Sequence, residues 1–135
     1  FDENLAAGAK ATASAARGDG SEFSPGNITD GTADTYWTTE NWTGSATITF
    51  DLGKTCKFNV AELAEYISIG QRVEEFVLEA KSGDGWKEFA RGTTIGYKRL
   101  MRFEPVTART VRLTIPKSRV CPALSSFALY FGESL

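Results

Sequence analysis

From Ala46 onward, apolar and polar residues alternate at period two, the pattern of strands with one buried face. Ala46-Thr47-Ile48-Thr49-Phe50-Asp51-Leu52 sends Ile48, Phe50 and Leu52 to a core, and Gly53-Lys54 predicts a turn after it. Phe58 and Val60 share one phase whereas Leu63 and Ile67 fall in the other, which predicts a bulge near Ala61-Glu62. Val73 to Lys81 reads as the next strand, and Ser82-Gly83-Asp84-Gly85 as a hairpin turn into Trp86. Trp86 to Ala90, Lys98 to Phe103 and Arg109 to Ile115 continue the pattern, with Val111, Leu113 and Ile115 inward and Arg112 and Thr114 outward. Ser126 to Phe131 reads as the last strand. Residues 1–45, rich in Ala, Gly, Ser and Thr, predict one short strand followed by long loops. About eight short antiparallel strands separated by turn signals describe an all-β sandwich or jelly roll, whose loops cluster at its ends and carry function.

Composition changes this picture little. One domain over residues 1–135 is the natural count, because a chain of 135 residues buries roughly two-thirds of its unfolded surface. A net charge of −2 supplies no clustered basic face, so neither nucleic acid nor an anionic membrane is an expected partner. The opening Phe1-Asp2-Glu3-Asn4-Leu5 has neither the basic start nor the apolar run of a signal peptide, and reads as the edge of a piece cut from something longer. Cys56 and Cys121 form a bridge or remain two buried thiols; their spacing does not decide between these.

The most informative local segment is Asn27-Ile28-Thr29-Asp30-Gly31-Thr32-Ala33-Asp34-Thr35-Tyr36-Trp37. Gly31 takes positive φ without penalty, so the chain can double back and aim carbonyl oxygens inward beside the Asp30 carboxylate, as a cage for a hard cation requires. The same residues equally make a metal-free turn, with Asp30 and Thr35 bonded to their own backbone. Tyr36 and Trp37 are expected to anchor the loop, and Trp37 and Trp86 to lie in the core.

Asn4-Leu5-Ala6, Asp30-Gly31 with Thr35-Tyr36-Trp37, Phe50-Asp51-Leu52-Gly53-Lys54, Trp86 and Val111-Arg112-Leu113 together resemble a discoidin domain, the coagulation factor five/eight type C fold shared with family 32 carbohydrate-binding modules. Glu65-Tyr66-Ile67, Gly70-Gln71-Arg72-Val73, residues 92–100 and Cys121-Pro122-Ala123-Leu124-Ser125 carry a narrower likeness, to the domain that follows the catalytic barrel of family 29 α-L-fucosidases. The resemblance implies a covalently linked catalytic domain and a secreted, periplasmic or cell-surface setting. It also implies a Ca²⁺ site at the positions of Asn27, Asp30, Thr32 and Thr35, completed by the carbonyl of Ser125. The Glu that such modules place on the last strand is replaced by Ser126, which leaves one carboxylate and predicts weaker binding.

Sugar recognition needs an aromatic platform and a few placed polar groups. Trp42 is the platform candidate, in the polar stretch Thr38 to Gly44, with Glu40 and Asn41 beside it and Arg72 following another loop. Packing across the sandwich end is the competing role for Trp42. Galactose-type modules place a His and an Arg where this chain has Thr38 and Ser68, so a fucose- or galactose-containing glycan would be met differently here. Arg17-Gly18-Asp19 matches an integrin tripeptide short enough to arise by chance, and Asn27-Ile28-Thr29 and Asn41-Trp42-Thr43 are glycosylation sequons. Lys98, Arg99 and Arg102 make a small basic patch, expected to be a solvated face or interdomain contact.

Catalysis is not expected. The chain has no His, and Glu74-Glu75, as adjacent strand residues, should point to opposite faces; the odd spacing of Glu62 and Glu65 raises the same objection unless the bulge intervenes. The expected function is a non-catalytic carbohydrate-binding accessory domain of a secreted glycosidase. Its alternatives are a structural domain buttressing the barrel and an adhesion-type domain for lipid or protein.

Overall fold

The computed structural model describes residues 3–18, 20–32, 34–40 and 44–132. The described residues form seven antiparallel strands: β1 Lys10–Ala13, β2 Trp37–Thr38, β3 Ala46–Glu65, β4 Val73–Ser82, β5 Gly85–Gly92, β6 Arg99–Ser118 and β7 Ala123–Tyr130. They hydrogen-bond in the order β2-β7-β3-β6-β4-β5, with β1 on the open flank of β3. The described residues contain no α-helix, only 3-10 turns at Pro25–Ile28 and Ile67–Ile69.

The two 20-residue strands β3 and β6 each serve both layers of the sandwich. The first part of β3 lies between β1 and β6, and its last part between β6 and β7. Between these parts the register jumps from Asp51↔Thr110 to Cys56↔Ala108, so five steps along β3 answer two along β6. The surplus residues bulge outward around Gly53, whose φ of +86° a side chain would resist. Gly53-Lys54 is therefore a bend inside one strand, not a hairpin turn. Similarly, Lys98–Phe103 and Arg109–Ile115 fuse into β6, and the strand count falls from eight to seven. The second irregularity in this pair lies between Phe58 and Val60, ahead of the expected Ala61-Glu62. Ile67 leaves the sheet altogether and is exposed on its 3-10 turn.

Burial follows the alternation. Ile48, Phe50, Val111, Leu113 and Ile115 are fully buried, while Arg112 and Thr114 point outward and are half-buried. Phe50 of β3 stacks on Phe127 of β7 at 4.3 Å and 14°, joining the layers at the core centre. Trp37 is fully buried, and its indole N–H donates to the Ala15 carbonyl at 2.9 Å. Trp86 departs from the core expectation: it is half-buried, with the Arg112 guanidinium 4.2 Å over its ring. Arg112 is held there by Glu79, with both Nε and Nη2 at 2.9 Å from the carboxylate.

Candidate functional site

One end of the sandwich gathers Arg17, Glu40, Arg72 and Cys121 from four distant parts of the chain. Arg72 follows the 3-10 turn at Ile67–Ile69; its Nη1 donates to the Cys121 carbonyl and meets the Cys121 sulfur, both at 3.1 Å. Arg17 donates from Nε to the Thr39 carbonyl at 3.0 Å, and from Nη2 to the same sulfur at 3.5 Å. Its guanidinium also pairs with Glu40 at 3.9 Å. The Thr38 hydroxyl donates to the Pro122 carbonyl at 2.9 Å, closing the floor beneath them. Cys121 is buried and so is Cys56; both are free thiols.

Of the expected ligand residues, the structure thus brings Glu40 and Arg72 to one end, linked through Arg17 and Cys121. Asn41 and Trp42 lie outside the described residues. The flanking positions are anchored: Gly44 accepts the Ser118 N–H at 2.8 Å, and the Ser118 hydroxyl donates to the Arg72 carbonyl at 3.1 Å. Arg17 and Cys121 escaped sequence reasoning because nothing local marks them. Arg17 meets the sulfur of a residue 104 positions away, and only the closed sandwich makes them neighbours.

The ion-loop residues form a second group on the flank. Asp30 accepts the Thr32 N–H at 3.1 Å on Oδ1, and the Thr35 hydroxyl on Oδ2. The Thr32 hydroxyl accepts the Asp34 N–H at 3.1 Å. Asn27 spends its side-chain amide on the carbonyls of Ser21, Glu22 and Tyr36, at 2.9 to 3.1 Å, which pins the loop. Gly31 and Thr32 face Ser125 and Ser126 across a small cleft of about 190 Å³. The available donors are all oxygens, as a hard cation prefers, with one carboxylate among them. Among the described residues no group of three or more His, Cys, Asp or Glu side chains converges.

Among the described residues, Glu65 is the carboxylate with the most backbone N–H partners. It is 2% exposed; Oε1 accepts the N–H groups of Arg72 and Val73 at 2.7 and 3.0 Å, and Oε2 that of Gly96 at 2.7 Å. It is a strut between two loops, with both carboxylate oxygens engaged by backbone N–H groups. Glu62 pairs with Lys98 at 3.7 Å. Across Glu74-Glu75 the ladder to β6 is irregular, and both side chains are exposed. In the basic patch, Lys98 is matched by Glu62, and the Arg99 guanidinium lies 5.8 Å over the Phe76 ring.

Residues 10–126 match the F5/8 type C domain family. An α-L-fucosidase 1 of Arabidopsis thaliana is 38% identical across 98% of this chain and 27% of its own length. A Ruminococcus gnavus family GH29 fucosidase, solved in complex with fucose, superposes with a TM-score of 0.89 at 37% identity, over 99% of this chain and 28% of that one. A chitosan-binding module from a Paenibacillus chitosanase/glucanase has a TM-score of 0.82 at 24% identity, covering 95% of this chain and 98% of its own, a likeness of fold alone. The chain spans about a quarter of the length of the curated relatives it matches. With the family match covering most of the sequence and the two-layer sandwich in place, the chain belongs to the F5/8 type C, or discoidin, family.

Proposed function

We propose that this domain is a non-catalytic glycan-binding accessory domain of an α-L-fucosidase, working outside the cytoplasm. The observation that carries this reading is the convergence of Arg17, Glu40 and Arg72 at one loop end, where Glu40 immediately precedes Asn41 and Trp42 in the sequence. Guanidinium N–H groups and a carboxylate are complementary to vicinal sugar hydroxyls, and an indole supplies the platform. Among the described residues, Arg72 uses Nη1 inward and keeps Nη2 and Nε for a ligand. Supporting the parent assignment are fucosidase relatives that share this stretch at 37–38% identity.

The ion loop belongs to the same proposal: Asp30, Thr32, Thr35 and the backbone at Asn27 and Ser125 would hold Ca²⁺, which would supply structural charge and no chemistry. Glycan-array screening followed by calorimetry tests the binding function. Binding of a fucose- or galactose-containing glycan that weakens in Trp42→Ala and Glu40→Gln is expected. Undiminished binding in both variants removes this loop end from the site, and absence of binding to any glycan leaves a buttressing domain.

A further inference from the structure

We propose that the cleft between the Tyr66–Gly70 turn and the loop 93–98 is a second glycan subsite, separate from the loop end, taking one neutral pyranose. The cleft has a volume of about 450 Å³ and is lined by residues of both loops and of β3 and β7. That volume lies within the range of small-ligand sites, roughly 300–1,000 Å³. Tyr97 stands on one lip with 75% of its surface exposed. Among the described residues it makes no side-chain hydrogen bond or ring contact, so no packing within this domain accounts for it. Ile67 is exposed on the opposite lip, and Tyr66, stacked on Tyr36 at 3.9 Å and 10°, completes an apolar and aromatic wall. Glu62 and Lys98, paired at 3.7 Å, present a carboxylate and an ammonium side by side, with the Ser126 hydroxyl next to them. Aromatic surface against the C–H face of a sugar, with mixed donors and acceptors at its edge, is the composition of a pyranose site.

Two features make this a built cleft. Glu65 lies beneath it and ties both walls through three N–H bonds, to Arg72, Val73 and Gly96, so the residue preceding Tyr97 is fixed from below. Gly96 has a φ of +71°, a left-handed backbone that a side chain would strain, so this corner of the loop favours glycine. Walls fixed before binding spare a ligand the cost of ordering them. Charge then selects the ligand. Asp34 and Glu62 face one Lys98, and the Glu65 oxygens are occupied by the backbone, so the cleft carries excess negative charge and rejects uronic or sulfated sugars.

The test is an amide-resolved NMR titration of the 135-residue chain with methyl α-L-fucoside, methyl β-D-galactoside and glucuronate. One or both neutral glycosides should shift the amides of residues 62–68 and 96–98 saturably, with glucuronate silent there. Tyr97→Ala should weaken this about ten-fold and leave the melting midpoint unchanged, whereas Tyr97→Phe should retain it. No saturable shift at these amides, shifts that survive Tyr97→Ala, or equal binding of glucuronate would overturn the proposal. Trp42→Ala separates the two sites: it should abolish binding at the loop end and spare the cleft, so either reading can fail alone.

Discussion

Glu65 shows how one residue can be misread by spacing and understood by its bonds. In sequence it is one of two carboxylates at an odd separation, which speaks only to catalysis. In the fold it is an anion caged by three backbone N–H groups, which charge-assisted bonding makes favourable despite burial. Removing it leaves those donors buried and unpaired, at roughly 1–3 kcal/mol each before relaxation. Glu65→Ala is therefore expected to lose about 3 kcal/mol or more in urea unfolding. Glu65→Gln, which keeps one acceptor oxygen and turns an amide donor toward the other N–H, should fall between the two. Equal stability of Glu65→Ala and the parent chain would mean that water replaces the strut.

At the scale of elements, the alternation of Ile48, Phe50 and Leu52 and of Val111, Leu113 and Ile115 was enough to assign strands and their inward faces. It could not say that β3 and β6 run on through Gly53 and Pro105. A glycine between two apolar runs means a hairpin turn when the strands pair with each other, but a bulge when both pair with a third. That third strand lies more than fifty positions away in the sequence. The bend has its own electrostatic clasp: Asp51 accepts the Gly53 N–H at 2.9 Å and Arg109 Nε at 3.0 Å. The Arg109 hydrogen bond, helped by that of Gly53, holds the Asp51 carboxyl below its ordinary value of 3.8. A carboxyl depressed in the folded state stabilises above its unfolded pKa and loses that contribution as pH falls through the folded one. Melting curves of the parent and Asp51→Asn should thus differ by a small margin at neutral pH and merge well below pH 3.8. The exposed position keeps the margin small, and a gap that persists undiminished in strong acid would assign the effect to the backbone turn alone.

For the whole molecule, the site was less legible than the fold, because its parts meet only after the layers close. Glu40 and Arg72 could be nominated from their loops, whereas Arg17 and Cys121 could not, and Tyr97 drew notice as part of a resemblance without a role. The ion loop shows the same limit from the other side. Asn27, Asp30, Thr32 and Thr35 are contiguous enough to read directly, yet Ser125 and Ser126 reach Gly31 and Thr32 only because β2 pairs with β7 at Trp37↔Leu124. A cation held there would tie the long N-terminal loops to the last strand of the sandwich, so its effect should appear in global melting. With calcium at about a hundred times its dissociation constant, linkage gives roughly 2.7 kcal/mol, on the order of 8 °C for a domain of this size. The parent chain is expected to melt higher in excess calcium than in chelator, and Asp30→Ala to melt identically in both. A single carboxylate makes the dissociation constant weak, on the order of 0.1 mM or above, so calcium at about 10 mM or more is the appropriate condition. An unchanged midpoint at that concentration would mean that the loop stands on its own bonds, with the Asp30 turn and the Asn27 amide sufficient to hold it.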